Sequence, residues 1–273
     1  MSGLRTFSRV GVKLALHEGG GSGVPFVFQH GLCGSAAQTA EVMPAIAGIR
    51  PMTLECRGHG GSEPGDPAQF SLQTFHDDLV ALVREVGGPV IIGGISMGAA
   101  LASRFAVTHP GEVRALVLAR PAWVTQALPE NLQPNREVGA LLAKYAPGEA
   151  RRIFLASDTA RKLAAEAPDN LASITGFFAR EPIAITSALL SRIAGDGPGV
   201  TEAQLRAVAC PVLILGTGED LAHPLAMCEE LAALIPHARL VKITPKGRDK
   251  AAYVAQFKAA LAAFLKDVLD AKA

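Results

Sequence analysis

PVIIGGISMGAALA, residues 89 to 102, runs from a short apolar segment through two glycines and an isoleucine to a lone serine, then through a third glycine into a string of alanines. Gly94-Ile95-Ser96-Met97-Gly98 fits the G-x-S-x-G pattern, in which a buried strand turns sharply into a helix and holds a serine at the bend. Such a turn is strained, and the helix crosses close to the strand, so neighbours without bulk are required. Gly94, Gly98, Ala99, Ala100 and Ala102 supply that clearance. The start of the helix places its dipole and free N–H groups beneath the hydroxyl. Glycine and serine also make plain turns; the apolar strand before and the small-residue helix after favour a nucleophile.

Outward from this turn, Val/Ile/Leu-rich runs recur at Phe26–Gln29, Met52–Cys56, Pro89–Gly93, Ala115–Ala119, Val212–Gly216 and Arg239–Ile243. They show little polar alternation, as expected of strands buried on both faces. Leu4–Val10 and Val12–Glu18 predict an antiparallel ribbon at the N-terminal end. Amphipathic stretches lie between the runs: in FHDDLVALVREV, Phe75, Leu79, Leu82, Val83 and Val86 share one helical face, and Gly87-Gly88 ends it. The alternation predicts an α/β fold with a mostly parallel sheet flanked by helices. From about Trp123 to Leu205 the rhythm changes to short helices broken by APGEA, EAPDN and GDGPG. This region is expected to be a helical insertion over the carboxyl ends of the strands, the edge where such sheets bind ligands.

The chain has 273 residues, 49% of them hydrophobic, with 26 Lys+Arg against 25 Asp+Glu. That length supports a large core, and the even charge gives no electrostatic footprint for nucleic acid or an anionic membrane. The N-terminus lacks the apolar run of a signal peptide, and no segment is long and apolar enough to span a membrane. Cys33, Cys56, Cys210 and Cys228 have neither CxxC nor zinc spacing and read as reduced, buried thiols of a cytoplasmic protein. The expected partner is a small-molecule substrate, with no metal and no cofactor; a second copy of the chain, forming a homodimer, is left open.

Another strand end, FVFQHGLCGS, finishes in His30-Gly31 followed by Gly34, which leaves backbone N–H groups free to face an oxyanion. Acyl transfer needs two such donors, and the candidates are Leu32 and Met97. His30 reads as a ring that fixes the loop through hydrogen bonds rather than as a catalytic group.

These elements together resemble the α/β-hydrolase fold with a helical cap. The resemblance rests on His30-Gly31-x-x-Gly34, the turn Arg57-Gly58-His59-Gly60-Gly61-Ser62, the elbow at Ser96, and Gly216-x-x-x-Asp220. It implies an eight-stranded, mostly parallel sheet with a cap inserted after strand 6. The core would be 1–121 and 206–273, and the cap 122–205. The resemblance makes the Arg57–Ser62 turn architectural and Asp220 the acid of a triad, because the alternative acid position holds Arg120. It also implies a histidine after the last strand, but that loop reads ITPKGRDKAAY, with Gly247-Arg248 where a Gly-His pair is expected.

The nearest substitute is His223, three residues past Asp220. The strand order that the resemblance implies puts two strand spacings of about 4.8 Å between its loop and the elbow strand, a gap an imidazole can largely cover. Pro224 is expected to open the next helix, leaving His223 as its cap; the ring is then either a general base or only a capping residue. Arg248 either pairs with Asp220 or faces solvent. Arg120 either holds a substrate carboxylate or makes an ion pair with the insertion. The expected activity is hydrolysis of a small ester, lactone or thioester through an acyl-enzyme on Ser96, in a mostly apolar pocket. Its rival is a ligand-binding protein on the same scaffold that has lost turnover.

Overall fold

A computed structural model describes residues 3–271. The chain opens with β1 (Gly3–Arg9), β2 (Val12–Glu18) and β3 (Val24–Gln29), followed by α1 (Ala36–Val42), β4 (Ile49–Leu54) and α2 (Leu72–Val86). The elbow strand β5 (Val90–Ile95) leads directly into α3 (Met97–Thr108) and then β6 (Val113–Ala119). Five helices follow: α4 (Gln133–Leu142), α5 (Pro147–Leu155), α6 (Asp158–Glu166), α7 (Pro168–Gly176) and α8 (Ile183–Ile193). A short α9 (Glu202–Arg206) precedes β7 (Val212–Thr217), α10 (Leu225–Leu234), β8 (Arg239–Ile243) and α11 (Lys250–Asp270).

The strands form one eight-stranded sheet in the order β1-β2-β4-β3-β5-β6-β7-β8. β1 pairs antiparallel with β2, and β2 with β4; from β4 to β8 every pairing is parallel. β5 lies near the middle, separated from β7 only by β6, so the loops after β5 and β7 open on the same edge.

Side chains of the central strands divide between two cores. Val27, Ile92, Leu116, Leu118 and Ile214 pack with Leu79, Leu101 and Phe105 of α2 and α3. Phe26, Phe28, Ile91, Val117 and Leu215 pack on the other face with Phe257, Leu261 and Leu265 of α11. Both faces of these strands are therefore apolar, which is why the sequence shows no polar alternation there.

Between β6 and β7 the helical segment carries a hydrophobic cluster of its own, including Val138, Leu142, Phe154, Leu163, Ile174 and Phe178. Leu32, Cys33 and Leu221 from the strand-end loops pack against it, so the segment lies over the carboxyl edge of the sheet. No helix among the described residues is long and apolar enough to cross a membrane.

Candidate active site

Ser96 occupies the bend between β5 and α3 with φ 56° and ψ −111°, a left-handed conformation that costs a non-glycine residue free energy and is held only by its surroundings. Those surroundings are tight. A Cβ on Gly94 would come within 2.4 Å of the Gly98 carbonyl carbon, and one on Gly98 within 2.3 Å of the Gln29 carbonyl oxygen. The Ser96 hydroxyl makes no hydrogen bond to cap its helix.

The loop after β3 lies against this serine, since a Cβ on Gly31 would contact the Ser96 Cβ at 3.4 Å. Gln38 Oε1 accepts from Gly31 N–H at 2.7 Å, and His59 Nε2 accepts from Cys33 N–H at 3.0 Å. Leu32 N–H has no acceptor among the described residues. Met97, the first residue of α3, precedes every carbonyl its N–H might reach within the helix.

Two buried histidines, His30 of this loop and His59 of the Arg57–Ser62 turn, are fully occupied. His30 donates from Nδ1 to the Gly31 carbonyl at 2.8 Å and accepts from Cys56 N–H on Nε2 at 3.0 Å. His59 donates from Nδ1 to the Arg57 carbonyl at 3.0 Å. Burial lowers both imidazoles from the ordinary histidine value, His59 well below it. The Arg57–Ser62 turn is likewise tied down: Arg57 grips Asp78 at 2.7 and 2.9 Å, and Ser62 bridges Glu55 and Ala15.

At the end of β7, Asp220 is nearly sealed from solvent and surrounded by donors. Its Oδ2 accepts from Arg120 Nε at 2.9 Å and Nη2 at 2.6 Å; its Oδ1 accepts from Asn170 Nδ2 and from the His223 backbone N–H, both at 3.1 Å. His223 Nδ1 lies 3.1 and 3.0 Å from the two carboxylate oxygens. Burial works to raise the Asp220 carboxyl, but the charges and hydrogen bonds of His223 and Arg120 outweigh it and hold the group well below the usual carboxylate range. Ser96, Leu32, Arg120 and His223 all line one cavity of about 300 Å³, with Asp220 behind His223. His223 Nδ1 is turned to Asp220, Nε2 has no hydrogen-bond partner among the described residues, and the ring lines the same cavity as Ser96. That arrangement can accept a proton from an attacking alcohol.

A family model described as "alpha/beta hydrolase fold" matches residues 24–249, most of the chain. The chain belongs to the α/β-hydrolase fold family. Among curated members, it is 29% identical over 245 residues to a 2-hydroxymuconate semialdehyde hydrolase of Pseudomonas sp. strain CF600, covering 86% of this chain and 84% of that one. It is 28% identical over 216 residues to a pimeloyl-[acyl-carrier protein] methyl ester esterase of Aromatoleum aromaticum, covering 74% and 81%. Among solved structures of the fold, the enol-lactonase of Burkholderia xenovorans LB400 superposes with a TM-score of 0.68 at 20% identity, over 97% of this chain and 100% of that one.

Several sequence expectations change here. Arg120 faces Asp220, not a residue of the insertion, and its guanidinium also lies 5.9 Å from the Tyr253 ring centre. A carboxylate already holds the arginine expected to bind a substrate carboxylate. Arg248 reaches neither Asp220 nor bulk solvent alone; it pairs with Glu219 at the surface. Pro224 is the N-cap of α10, so His223 sits one position earlier than a cap. The cavity is not mostly apolar: Gln38, Asn135, Asp169, Asn170, Ser173 and Lys246 line it beside Trp123, Leu132, Ile174 and Phe177. All four cysteines are free, and the Cys33 thiol in the cavity wall is pushed up to about 12 by burial, so it offers no thiolate.

Sequence reading missed Asn170 and Asn131 of the helical segment. Asn170 Oδ1 accepts from Leu221 and Ala222 N–H at 2.7 and 3.1 Å, while Asn131 Nδ2 donates to the Ala222 carbonyl at 2.7 Å. Two asparagines thus clamp the loop that carries Asp220 and His223. Nothing local marks them, since their partners are about 50 and 90 residues away. Lys246 was also missed, although it lies in the loop that the family resemblance had singled out.

Proposed function

We propose that the protein is a serine hydrolase that cleaves a small carboxylic ester, lactone or thioester. Residues 122–205 act as a cap over a core of 1–121 and 206–273. The observation that carries this reading is a strained serine and an Asp-anchored imidazole lining one small cavity. Ser96 Oγ attacks the substrate carbonyl while His223 Nε2 takes its proton, and the C–O or C–S bond breaks as His223 returns the proton to the leaving group. The N–H groups of Leu32 and Met97 hold the oxyanion of each tetrahedral intermediate. Asp220 keeps the imidazole in the tautomer that leaves Nε2 free, and a water then repeats the sequence to release the acid. The names of two of the relatives, a hydrolase and an esterase, support this reading.

A fluorophosphonate should label Ser96, with the adduct mapped by mass spectrometry; an unlabelled Ser96 in folded protein removes the nucleophile. On short-chain aryl esters, His223→Ala should lower kcat by roughly 10²–10⁴-fold, the usual worth of a general base. A change below about tenfold excludes His223 from that role.

A second reading, a ligand-binding protein without turnover, has its own observation. Arg120 Nη2 lies 3.2 Å from His223 Nδ1. If Arg120 donates there, the ring proton moves to Nε2 and no lone pair faces the serine. Multiple turnover of any ester ends that reading; a small molecule that raises Tm and is recovered intact supports it.

A further inference from the structure

Asn135, in the first turn of α4, is 7% exposed and lines the cavity that holds Ser96 and His223. Its Oδ1 is sealed from solvent without a donor, and neither end of its carboxamide makes a hydrogen bond among the described residues. Buried side-chain amides are almost always paired, so one with both ends idle against a cavity marks a place where a guest supplies the partner.

The other orphaned atoms among the described residues differ. Arg9 faces Asp78, Arg114 donates to the Val268 carbonyl, and His76 contacts Thr108 and Asp77. Asn131 also has an idle Oδ1, but its Nδ2 is held by two carbonyls and it lies off this cavity. Asn170, in the same cavity wall, is fully engaged with the Asp220 loop. Of the five side chains with a sealed, unpaired polar atom among the described residues, Asn135 is the one that lines this cavity.

We propose that Asn135 is a specificity-determining residue whose carboxamide hydrogen-bonds a hydroxyl on the substrate, so that the site selects small hydroxylated esters over their deoxy analogues. With Oδ1 sealed, Nδ2 is the end a guest can reach, and a hydroxyl oxygen accepts from it; with the amide flipped, the same hydroxyl donates to Oδ1. Asn135 comes from the helical segment and Ser96 from the sheet, so the amide reads a part of the substrate away from the reacting carbonyl. At about 300 Å³ the cavity has room for roughly ten waters' volume, which suits the methyl ester of a four-carbon hydroxy acid. The proposal rests on the serine-hydrolase reading in calling the guest an ester; the binding itself requires no turnover.

The test uses Ser96→Ala protein, which leaves the ester intact, and NMR titration with methyl 2-hydroxybutanoate, methyl 3-hydroxybutanoate and methyl butanoate. At least one hydroxy ester should bind about tenfold more tightly than methyl butanoate, because an unmatched buried amide penalises the deoxy guest. Adding Asn135→Leu, or Asn135→Ala if the leucine variant does not fold, should bring that ratio to within twofold. Equal binding of all three esters, no saturable binding by either hydroxy ester, or a preference that survives the loss of Asn135 overturns the proposal. If the preference holds while wild-type Ser96 resists the fluorophosphonate, the hydrolase reading fails and the hydroxyl subsite stands.

Discussion

Replacing Arg120 with methionine removes the cation from a buried carboxylate and leaves the surrounding volume nearly filled. Nε and Nη2 of Arg120 both bond Asp220 Oδ2, and the two side chains are only 12% and 6% exposed. Solvent therefore cannot take over the charge, and breaking such a pair from one side costs about 3–5 kcal/mol. At roughly 2–4 °C per kcal/mol for a chain of this size, Tm should fall by about 6–20 °C. Urea and thermal melts at pH 7 give the loss, and a double-mutant cycle with Asp220→Asn should return a coupling of about 2 kcal/mol or more. The acid arm has a definite sign. The folded carboxyl is held below its unfolded value of about 3.9, so this stabilisation is fully present above that pH. It is lost as pH falls through 3.9 toward the folded value, and in Arg120→Met this acid limb should shrink. A loss below about 1 kcal/mol, or a coupling within 0.5 kcal/mol of zero, would refute the picture of a desolvated pair.

Gly98→Ala drives a Cβ to 2.3 Å from the Gln29 carbonyl oxygen, where only backbone could move, so its urea midpoint should drop by the upper part of the roughly 1–3 kcal/mol typical of overpacking, or more. Gly148→Ala, with open space around its Cβ, should instead be neutral or stabilising by up to about 1 kcal/mol in the same assay. Burial lowers His76 to about 4, so the unfolded chain binds its proton first and stability falls as pH drops from about 6.5 to about 4. Denaturation across that window should show His76→Gln with a limb shallower by at most about 1.4 kcal/mol per pH unit. Arg248→Ala breaks only an exposed pair with Glu219, so stability should move by less than about 0.5 kcal/mol and ester turnover should not change.

The sheet was legible because burial on both faces and the small-residue turn at Ser96 leave strong local signals. Its boundaries were less so. Pro51 hid the first half of β4, which the structure begins at Ile49, and Cys56 looked like strand because it is apolar. Its N–H instead goes to His30 Nε2, outside the sheet. The order that leaves one strand between the elbow strand and the strand before Asp220 followed from the family resemblance, but the arginine partners did not. Arg120 and Arg248 are both charged residues at strand ends, and only the sheet order puts Arg120 beside Asp220 and turns Arg248 toward Glu219. The polarity of the cavity was hidden for a related reason: Asn135, Asp169 and Asn170 sit on helices whose apolar faces point at one another, and their inward turn depends on how those helices dock.

The clamp made by Asn131 and Asn170 has a consequence for engineering. Lid exchange between relatives is a natural way to redirect a hydrolase, on the assumption that the reacting groups stay put on the sheet. Here Asp220 and His223 ride on a loop that Asn131 and Asn170 of the helical segment hold, so a transplanted segment must bring its own pair of amides or the proposed proton-relay pair shifts along with the choice of guest.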